Sequence, residues 1–502
     1  MDDYLLCSLQ NLILFYMYYI FLDIDISRMG NSSVKQDGKR VEPPVKEFAE
    51  VPAQIVSQVK EFKKKLHFKG SLKEHTKSLS KKDLHKEVIR AGEISQCEWA
   101  PKPTCIDYSI FDSQSIVEES TRQTVLDFKA SSAALLYPDL DFAIGCMYGM
   151  AIGDSWGHTL EFTPAQYEKT IIKALTEECF RAPGTLNKFG LKPGQYTDDT
   201  SMGLCLADTL LVKGHVDCLD LKKRFVMWWY LGYNNAFKND LMKRESMHHG
   251  GRSVGLGGQI SYSLKQFLHE PIHEYVLGDV TANGNGSIMR LAPLPIFYHS
   301  SDTMLMALEA ANQSFTTHSG LQSAECSILL SYIIVKAMKF KVDSGSMTGK
   351  QFLDAIDFAP ILQYIHTPVV RSIAMSCQNE NWSPDVFNAV SEDQDWNWKD
   401  PSHRYSPTRT AINPGYVGGY CSDNLCMALH CVYHTSSFEE AVLRCINRAG
   451  DADTVGSVTG QIAGALYGVS NIPSEALKCV LKWDNAEIGY RAIHLYLAKE
   501  NC

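Results

Sequence analysis

Eight glycines restrict what this chain can fold into more than any other feature. Gly145, Gly149, Gly153 and Gly157 fall at four-residue steps, and so do Gly456, Gly460, Gly464 and Gly468. Residues four apart share one face of an α-helix, so each set predicts a helix with a bare ridge. A glycine inside a helix costs about 1 kcal/mol against alanine, so a row of them needs a compensating contact. Close approach of a second backbone is that contact, and the two rows are expected to meet in one tightly packed centre. A membrane-spanning small-residue motif has similar spacing, but the interspersed Asp154, Thr454, Ser457, Thr459 and Gln461 argue against it.

Around these ridges the texture is helical. From Leu136 onward, long apolar-periodic segments are separated by Gly, Pro and Asn with little strict alternation. Helices are expected over about 139–153, 199–213, 219–232, 303–315, 320–339, 423–434, 437–448, 453–467 and 473–481. The expected organisation is an apolar segment over 1–28, a charged extension over 29–130 and an all-α domain over 131–502. The stretch from about 378 to 415, with Trp382, Trp396, Trp398, Pro401, Pro407 and Pro414, reads as a long irregular connection. Such a loop is either a functional lid or a variable surface insertion.

Net charge of -9 offers no electrostatic footprint for nucleic acid, so no nucleic-acid binding is expected and the partner is a small molecule or a protein. Fifteen scattered cysteines without a Cys-x-x-Cys pair point to a reduced, intracellular compartment. Tyr4 to Leu22 is apolar and nearly long enough to span a bilayer, yet it holds Gln10 and Asn11 and follows Asp2 and Asp3. Three readings stay open for this end: a signal anchor, a start at Met29, or an ordinary buried or disordered tail. Met29-Gly30-Asn31-Ser32-Ser33 is similar to an N-myristoylation start, although Val34 stands where Ser or Thr is usual. The basic residues that follow, Arg28, Lys35, Lys39, Arg40 and Lys46, keep the remainder cytoplasmic even if the anchor is real. Weak membrane attachment through this end and the lysine-rich 60–86 stretch is one expectation, and a solvated helix face or flexible linker is the plainer one.

Two acidic clusters open helices. Tyr196-Thr197-Asp198-Asp199-Thr200 precedes an amphipathic run ending at Lys213-Gly214, and Gly450-Asp451-Ala452-Asp453-Thr454 precedes the second glycine ridge. Taken singly, each is explained by capping, since Asp and Thr accept first-turn N–H groups and negative charge suits the helix dipole. Capping needs only one side chain, however, and each cluster supplies at least three oxygen donors. Adjacent carboxylates repel unless a cation lies between them, and hard cations such as Mg2+ favour an all-oxygen set. The absence of Cys and His from both clusters argues against zinc. Glu161, just beyond the first ridge, is a third candidate, with a solvated loop carboxylate as its alternative. Thr281-Ala282-Asn283-Gly284-Asn285-Gly286-Ser287-Ile288-Met289-Arg290 exposes backbone N–H groups suited to phosphate, although it is no Walker-type loop and a plain turn also explains it. His318, in Thr316-Thr317-His318-Ser319-Gly320, could equally be structural.

Five segments in this order resemble the ADP-ribosylglycohydrolase family: Gly145 to Phe162, Tyr-Thr-Asp-Asp-Thr, Gly-Asn-Gly-Ser-Ile-Met-Arg, Thr-His-Ser and Gly-Asp-Ala-Asp-Thr-Val-Gly. The likeness covers roughly 140–490. It implies an all-α, orthogonally packed helical bundle around a centre of two Mg2+ ions, with Mn2+ as the alternative metal, that cleaves ADP-ribose from modified proteins. On that likeness Thr197, Asp198, Asp199, Asp451, Asp453 and Thr454 are the expected metal ligands. Glu161, Asp198 and Asp199 are the expected catalytic carboxylates, with Glu161 serving in water activation. The Asn283 to Met289 loop, including Gly284, Gly286 and Ser287, and His318 are the expected ADP-ribose contacts. Gly419-Tyr420-Cys421-Ser422-Asp423-Asn424-Leu425 resembles a further family segment that lines the nucleotide pocket, departing from its pattern at Cys421-Ser422 and Asn424. Tyr420 joins the expected substrate contacts on that basis.

The activity implied is hydrolysis of the bond linking ADP-ribose to a protein side chain, acting on an ADP-ribosylated protein or an ADP-ribose derivative. Two rivals have different chemistry: a catalytically silent ADP-ribose-binding protein, and a metal-dependent nucleotide pyrophosphohydrolase. Intact acidic clusters argue against the first, and the two hydrolases differ in product.

Overall fold

The computed structural model describes residues 139–500 except 166, 168, 245, 342–346, 377–395, 404–416 and 485. The apolar segment, the charged extension and the lysine-rich stretch lie outside the described residues. Among those described are sixteen α-helices and no β-strand. They are α1 (Leu140–Gly157), α2 (Asp198–Lys213), α3 (Cys218–Leu231), α4 (Leu241–Arg244), α5 (Gly258–His269), α6 (Pro293–Phe297), α7 (Thr303–Phe315) and α8 (Leu321–Lys339). These are followed by α9 (Gly349–Ala355), α10 (Ala359–Leu362), α11 (Pro368–Met375), α12 (Cys421–Tyr433), α13 (Phe438–Ile446), α14 (Ala452–Tyr467), α15 (Ser474–Asp484) and α16 (Glu487–Glu500). The fold is all-α, as the periodicity predicts.

The glycine ridges form the spine. Helices α1 and α14 pack antiparallel, with Gly145 facing Gly464, Gly149 facing Gly460 and Gly153 facing Gly456. A methyl group at Gly149 would run into the Gly460 carbonyl oxygen, and one at Gly460 into the Gly149 carbonyl oxygen. The backbones therefore touch directly, which is the compensating contact the sequence demands. Contact at this range brings carbonyl oxygens against Cα–H groups, each worth about 0.5–1 kcal/mol, a return of the same order as the glycine penalty. Both helices are enclosed on every side: all sixteen residues of α14, and α1 from Ala143 onward, are buried.

The remaining helices wrap this pair. Helix α8 is long and apolar enough to cross a membrane by length and composition, but 83% of its apolar window is buried, and it packs on α7, α12 and α14 as a core helix. Helix α2 stops as predicted at Lys213-Gly214, where Gly214 adopts φ 73° and its N–H bonds the Leu210 carbonyl. A buried ion pair ties α2 to α16. The Arg491 guanidinium donates to both Asp208 oxygens, Nε–H at 2.8 Å and Nη2–H at 3.2 Å, while the Tyr233 hydroxyl and Asn234 amide donate to the same carboxylate.

The nine predicted segments correspond to α1, α2, α3, α7, α8, α12, α13, α14 and α15. Of the helices not predicted, α5 follows Gly255-Leu256-Gly257-Gly258, whose glycines read as loop, and α6 and α11 begin on Pro293 and Pro368. Proline is acceptable at a helix start because the N–H it lacks has no intrahelical partner there. Within the 378–415 stretch only 396–403 is described: Trp396 and Trp398 are buried, with the Trp398 indole donating to the Ile373 carbonyl at 2.7 Å. All cysteines of the described residues are free.

Candidate active site

The last rung of the spine places the first carboxylates. A methyl at Gly157 would collide with the Ala452 carbonyl and the Asp453 Cα, so the end of α1 lies directly on the start of α14. The chain then turns through His158 to Thr163. Phe162 takes φ 63°, its N–H donating to the Gly450 carbonyl at 2.8 Å, and the Gly450 N–H donates to the Thr163 carbonyl at 3.1 Å. These two bonds pin the Glu161 turn to the residue before Asp451. One carboxylate oxygen each from Glu161, Asp451 and Asp453 consequently lies within 4.8 Å of the others.

The second acidic helix start joins from α2. Asp198 and Asp199 are buried there, and Asp198 lines the same cavity as Glu161, Asp451, Asp453 and Thr454. Gly255 permits this: it holds φ 90°, and a methyl on it would strike the Asp198 carboxylate. Neither N-cap side chain caps its own helix. The Thr197 hydroxyl donates instead to Asp154 at 2.8 Å, and the Asp451 carboxylate accepts the Asn285 amide at 2.6 Å. The capping explanation, sufficient for each cluster alone, therefore fails for these two residues.

Burial and mutual repulsion both oppose ionisation in this cluster. Burial first, then the charges of Asp451 and Asp198, hold the Glu161 carboxyl up at about 9. Asp198 and Asp199 are pushed well above the ordinary carboxylate range by burial and then by Asp154; for Asp453 the causes are burial and then Glu161. Asp451 is raised by burial, against the pull of the Asn285 hydrogen bond. Glu161 Oε2 and Asp199 Oδ1 are buried without a hydrogen-bond partner. Orphaned carboxyl oxygens from the turn after α1 and from the start of α2, beside the Asp451 and Asp453 carboxyls, fit a hard divalent cation, which would satisfy them together.

A cavity of about 920 Å³ opens over these carboxylates, within the size range of small-molecule sites. Gly284, Asn285, Gly286, Met289 and His318 also line it. The glycines are needed because a side chain at either Gly284 or Gly286 would press on the His318 ring. Burial, then the nearby Arg290 charge, drives the His318 pKa well below its ordinary value, so the ring is neutral. Arg290 itself is wholly buried and organises the loop, donating to the Gln313 carbonyl (2.8 Å), Thr316 Oγ1 (3.2 Å) and Thr317 Oγ1 (2.9 Å) while packing on the Phe225 ring.

Asn283, Ser287 and Tyr420 sit differently. The Asn283 side-chain oxygen accepts the Gln322 N–H at 3.1 Å, and the Ser287 hydroxyl donates to the Ser323 carbonyl at 3.3 Å, so both hold the loop from behind. Tyr420 is 39% exposed and pairs through its backbone with Gly284, while its neighbour Gly419 reaches the cavity wall. Three residues with direct parts in the geometry are not singled out by sequence. Asn285 is given no role of its own within the Asn283 to Met289 loop, Gly255 lies outside every family segment, and Asp154, although inside the Gly145 to Phe162 segment, is given a part only as a polar interruption of the ridge. The one available signal is position, for Asp154 sits between ridge glycines, where a carboxylate needs donors.

A family model described as ADP-ribosylglycohydrolase matches residues 137–500. The ADP-ribosylarginine hydrolase Tri1 of Pseudomonas putida is 32% identical over 347 residues, spanning 69% of this chain and 76% of the relative. The ADP-ribosyl-(dinitrogen reductase) glycohydrolase of Rhodospirillum rubrum is 27% identical, spanning 66% of this chain and 88% of its own. Human ADP-ribosylhydrolase ARH3 is 21% identical, with 71% of this chain and 93% of the relative aligned. Members of this family hydrolyse glycosidic linkages of ADP-ribose and depend on a metal, and the convergent buried carboxylates meet that requirement. The chain belongs to the ADP-ribosylglycohydrolase family and is a hydrolase of glycosyl bonds.

Proposed function

We propose that the protein releases ADP-ribose from a modified protein side chain in a Mg2+-dependent reaction, reversing mono-ADP-ribosylation. The observation that carries this reading is the convergence of Glu161, Asp451 and Asp453 in a cavity that the Gly284 to Gly286 loop also lines. Thr197, Asp198, Asp199, Asp451, Asp453 and Thr454 are the residues that would hold two divalent ions, with Glu161 beside them. Such ions supply Lewis acidity, which orients hydroxyl groups and lowers the pKa of water.

The chain's own groups divide the remaining work. Cleavage at the anomeric carbon passes through an oxocarbenium-like state, which buried carboxylates stabilise electrostatically. Glu161 Oε2 has no protein partner, so once bound cations offset the burial and the Asp451 and Asp198 charges that keep this carboxyl protonated, it would be the oxygen that takes a proton from the attacking water. Asn285 holds Asp451 in place through its amide. The neutral His318, its Nδ1 2.8 Å from the Thr317 hydroxyl, supports the glycine loop on which the ADP-ribose diphosphate would rest.

Product analysis tests the reading. The full-length protein is incubated with arginine- and serine-linked ADP-ribosyl peptides and Mg2+, and the products are separated by mass spectrometry. Free ADP-ribose together with unmodified peptide is the expected result. AMP with a phosphoribosyl peptide would assign pyrophosphohydrolysis, and intact peptide would leave only binding.

A further inference from the structure

Asp154 has a place in this centre that no recognised motif assigns to it. It lies in the last turn of α1 and is wholly buried. Its carboxylate faces the start of α2 and accepts from two threonines. The Thr197 N–H lies 3.0 and 3.1 Å from the two oxygens, and the Thr197 hydroxyl is 2.8 Å from Oδ1. The Thr200 N–H (3.1 Å) and hydroxyl (2.7 Å) both reach Oδ2.

A threonine hydroxyl has one proton and two lone pairs. With its proton donated to Asp154, the Thr197 oxygen faces its other neighbours only as an acceptor. Beside it stand two buried carboxyl groups, Asp198 and Asp199, and one Asp199 oxygen has no hydrogen-bond partner. A divalent cation beside them would be shared by the Thr197 lone pairs and the orphaned Asp199 oxygen.

We propose that Asp154 is a positioning residue that makes Thr197 a cation ligand by taking its hydroxyl proton, so that the Oγ1 lone pairs face the site. This rests on the metal-dependent reading above. It separates two roles that the carboxylate combines. The bonds to Thr200 and to the two N–H groups anchor the helix, whereas the bond to the Thr197 hydroxyl sets the direction of a proton.

The test is Mn2+ binding by the full-length protein, followed through the electron paramagnetic resonance signal of the free ion, with far-ultraviolet circular dichroism as the check on folding. The variants are Asp154→Asn, Thr197→Val, Thr200→Val and the double variant Asp154→Asn/Thr197→Val. Thr197→Val and Asp154→Asn are each expected to weaken Mn2+ affinity about ten- to a hundred-fold. Thr200→Val, which removes the other hydroxyl from the same carboxylate, is expected to bind as the unmodified protein does. The double variant is expected to bind no worse than the weaker single one, because both changes act through one oxygen. Unaltered affinity in Asp154→Asn, losses that multiply in the double variant, or a Thr200→Val loss as large as that of Thr197→Val would each overturn the proposal. If Asp154→Asn does not fold, the two valine variants decide alone. Absence of Mn2+ binding by the unmodified protein would instead overturn the metal reading itself.

Discussion

At the scale of single residues, the site is a set of acids held where acids are least comfortable. Asp199 shows this most simply: it is buried, repelled by its neighbours, and one oxygen has no partner. Asp199→Asn is expected to abolish turnover while leaving the melting temperature unchanged or raised, because the amide removes charge that only a cation would neutralise; a calorimetric scan and a turnover assay check both. Glu161 adds a pH dependence with a defined sign. Its carboxyl is raised from 4.5 to about 9, so the folded state favours its protonated form. Stability from this group is complete below about 4.5 and is lost as pH rises toward 9. The chelator-treated protein should accordingly melt at progressively lower temperature as pH rises across that interval, and Mg2+ should flatten the slope. A melting temperature independent of pH in chelator would contradict this. The chemistry of these residues is legible in the sequence alone, because clustered carboxylates without Cys or His suggest a hard metal. What sequence does not show is which alternative partner each cap residue takes. Asp451 bonds to Asn285 and Thr197 to Asp154, both far from it in the chain.

At the scale of elements, the glycine spine places the chemistry. Four-residue spacing makes the ridge readable because it reports directly on a helix face, and seven of the eight glycines are explained by the backbone opposite them, whereas Gly468 ends α14 at φ 79° against the Asp141 carboxylate. Gly460→Leu should leave no folded domain, and Gly460→Ala should cost at least the upper end of the about 1–3 kcal/mol typical of overpacking, since the obstruction is a carbonyl rather than a yielding side chain. Chemical denaturation checks this, and wild-type stability in Gly460→Ala would show that the spine does not hold the fold together. Helices without a legible start, such as α5 after Gly257 and α6 on Pro293, begin on residues that also break helices. Only the surrounding core decides which role such a residue takes. Gly255 is equally silent in the sequence, because its need for φ 90° comes from the Asp198 carboxylate and not from any local pattern.

At the scale of the whole molecule, the outer helices are fastened to the spine by buried polar ties, of which Asp208 with Arg491 is the clearest. Burial pushes the Asp208 carboxyl up, but the Arg491 charge and its hydrogen bonds outweigh burial and hold it below 3.8. A depressed carboxyl contributes stability above its unfolded value that is lost as pH falls through the folded one. Asp208→Asn should cost up to about 3–5 kcal/mol at neutral pH by leaving the buried Arg491 with only the longer Glu487 pairing at 3.3 Å, and should reduce the loss of stability on acidification below 3.8. Urea titrations at neutral and acid pH measure both effects. The fastening matters for function because α2 carries Asp208 on the same helix that begins with Asp198 and Asp199. Spine and ties together assemble a centre whose proposed work is divalent-metal glycohydrolysis. Its most direct measurement is the initial rate of ADP-ribose release from an ADP-ribosylated peptide, first in chelator and then with Mg2+ restored. No release in chelator and full recovery with Mg2+ are the predicted results; undiminished release in chelator would contradict the metal-dependent reaction.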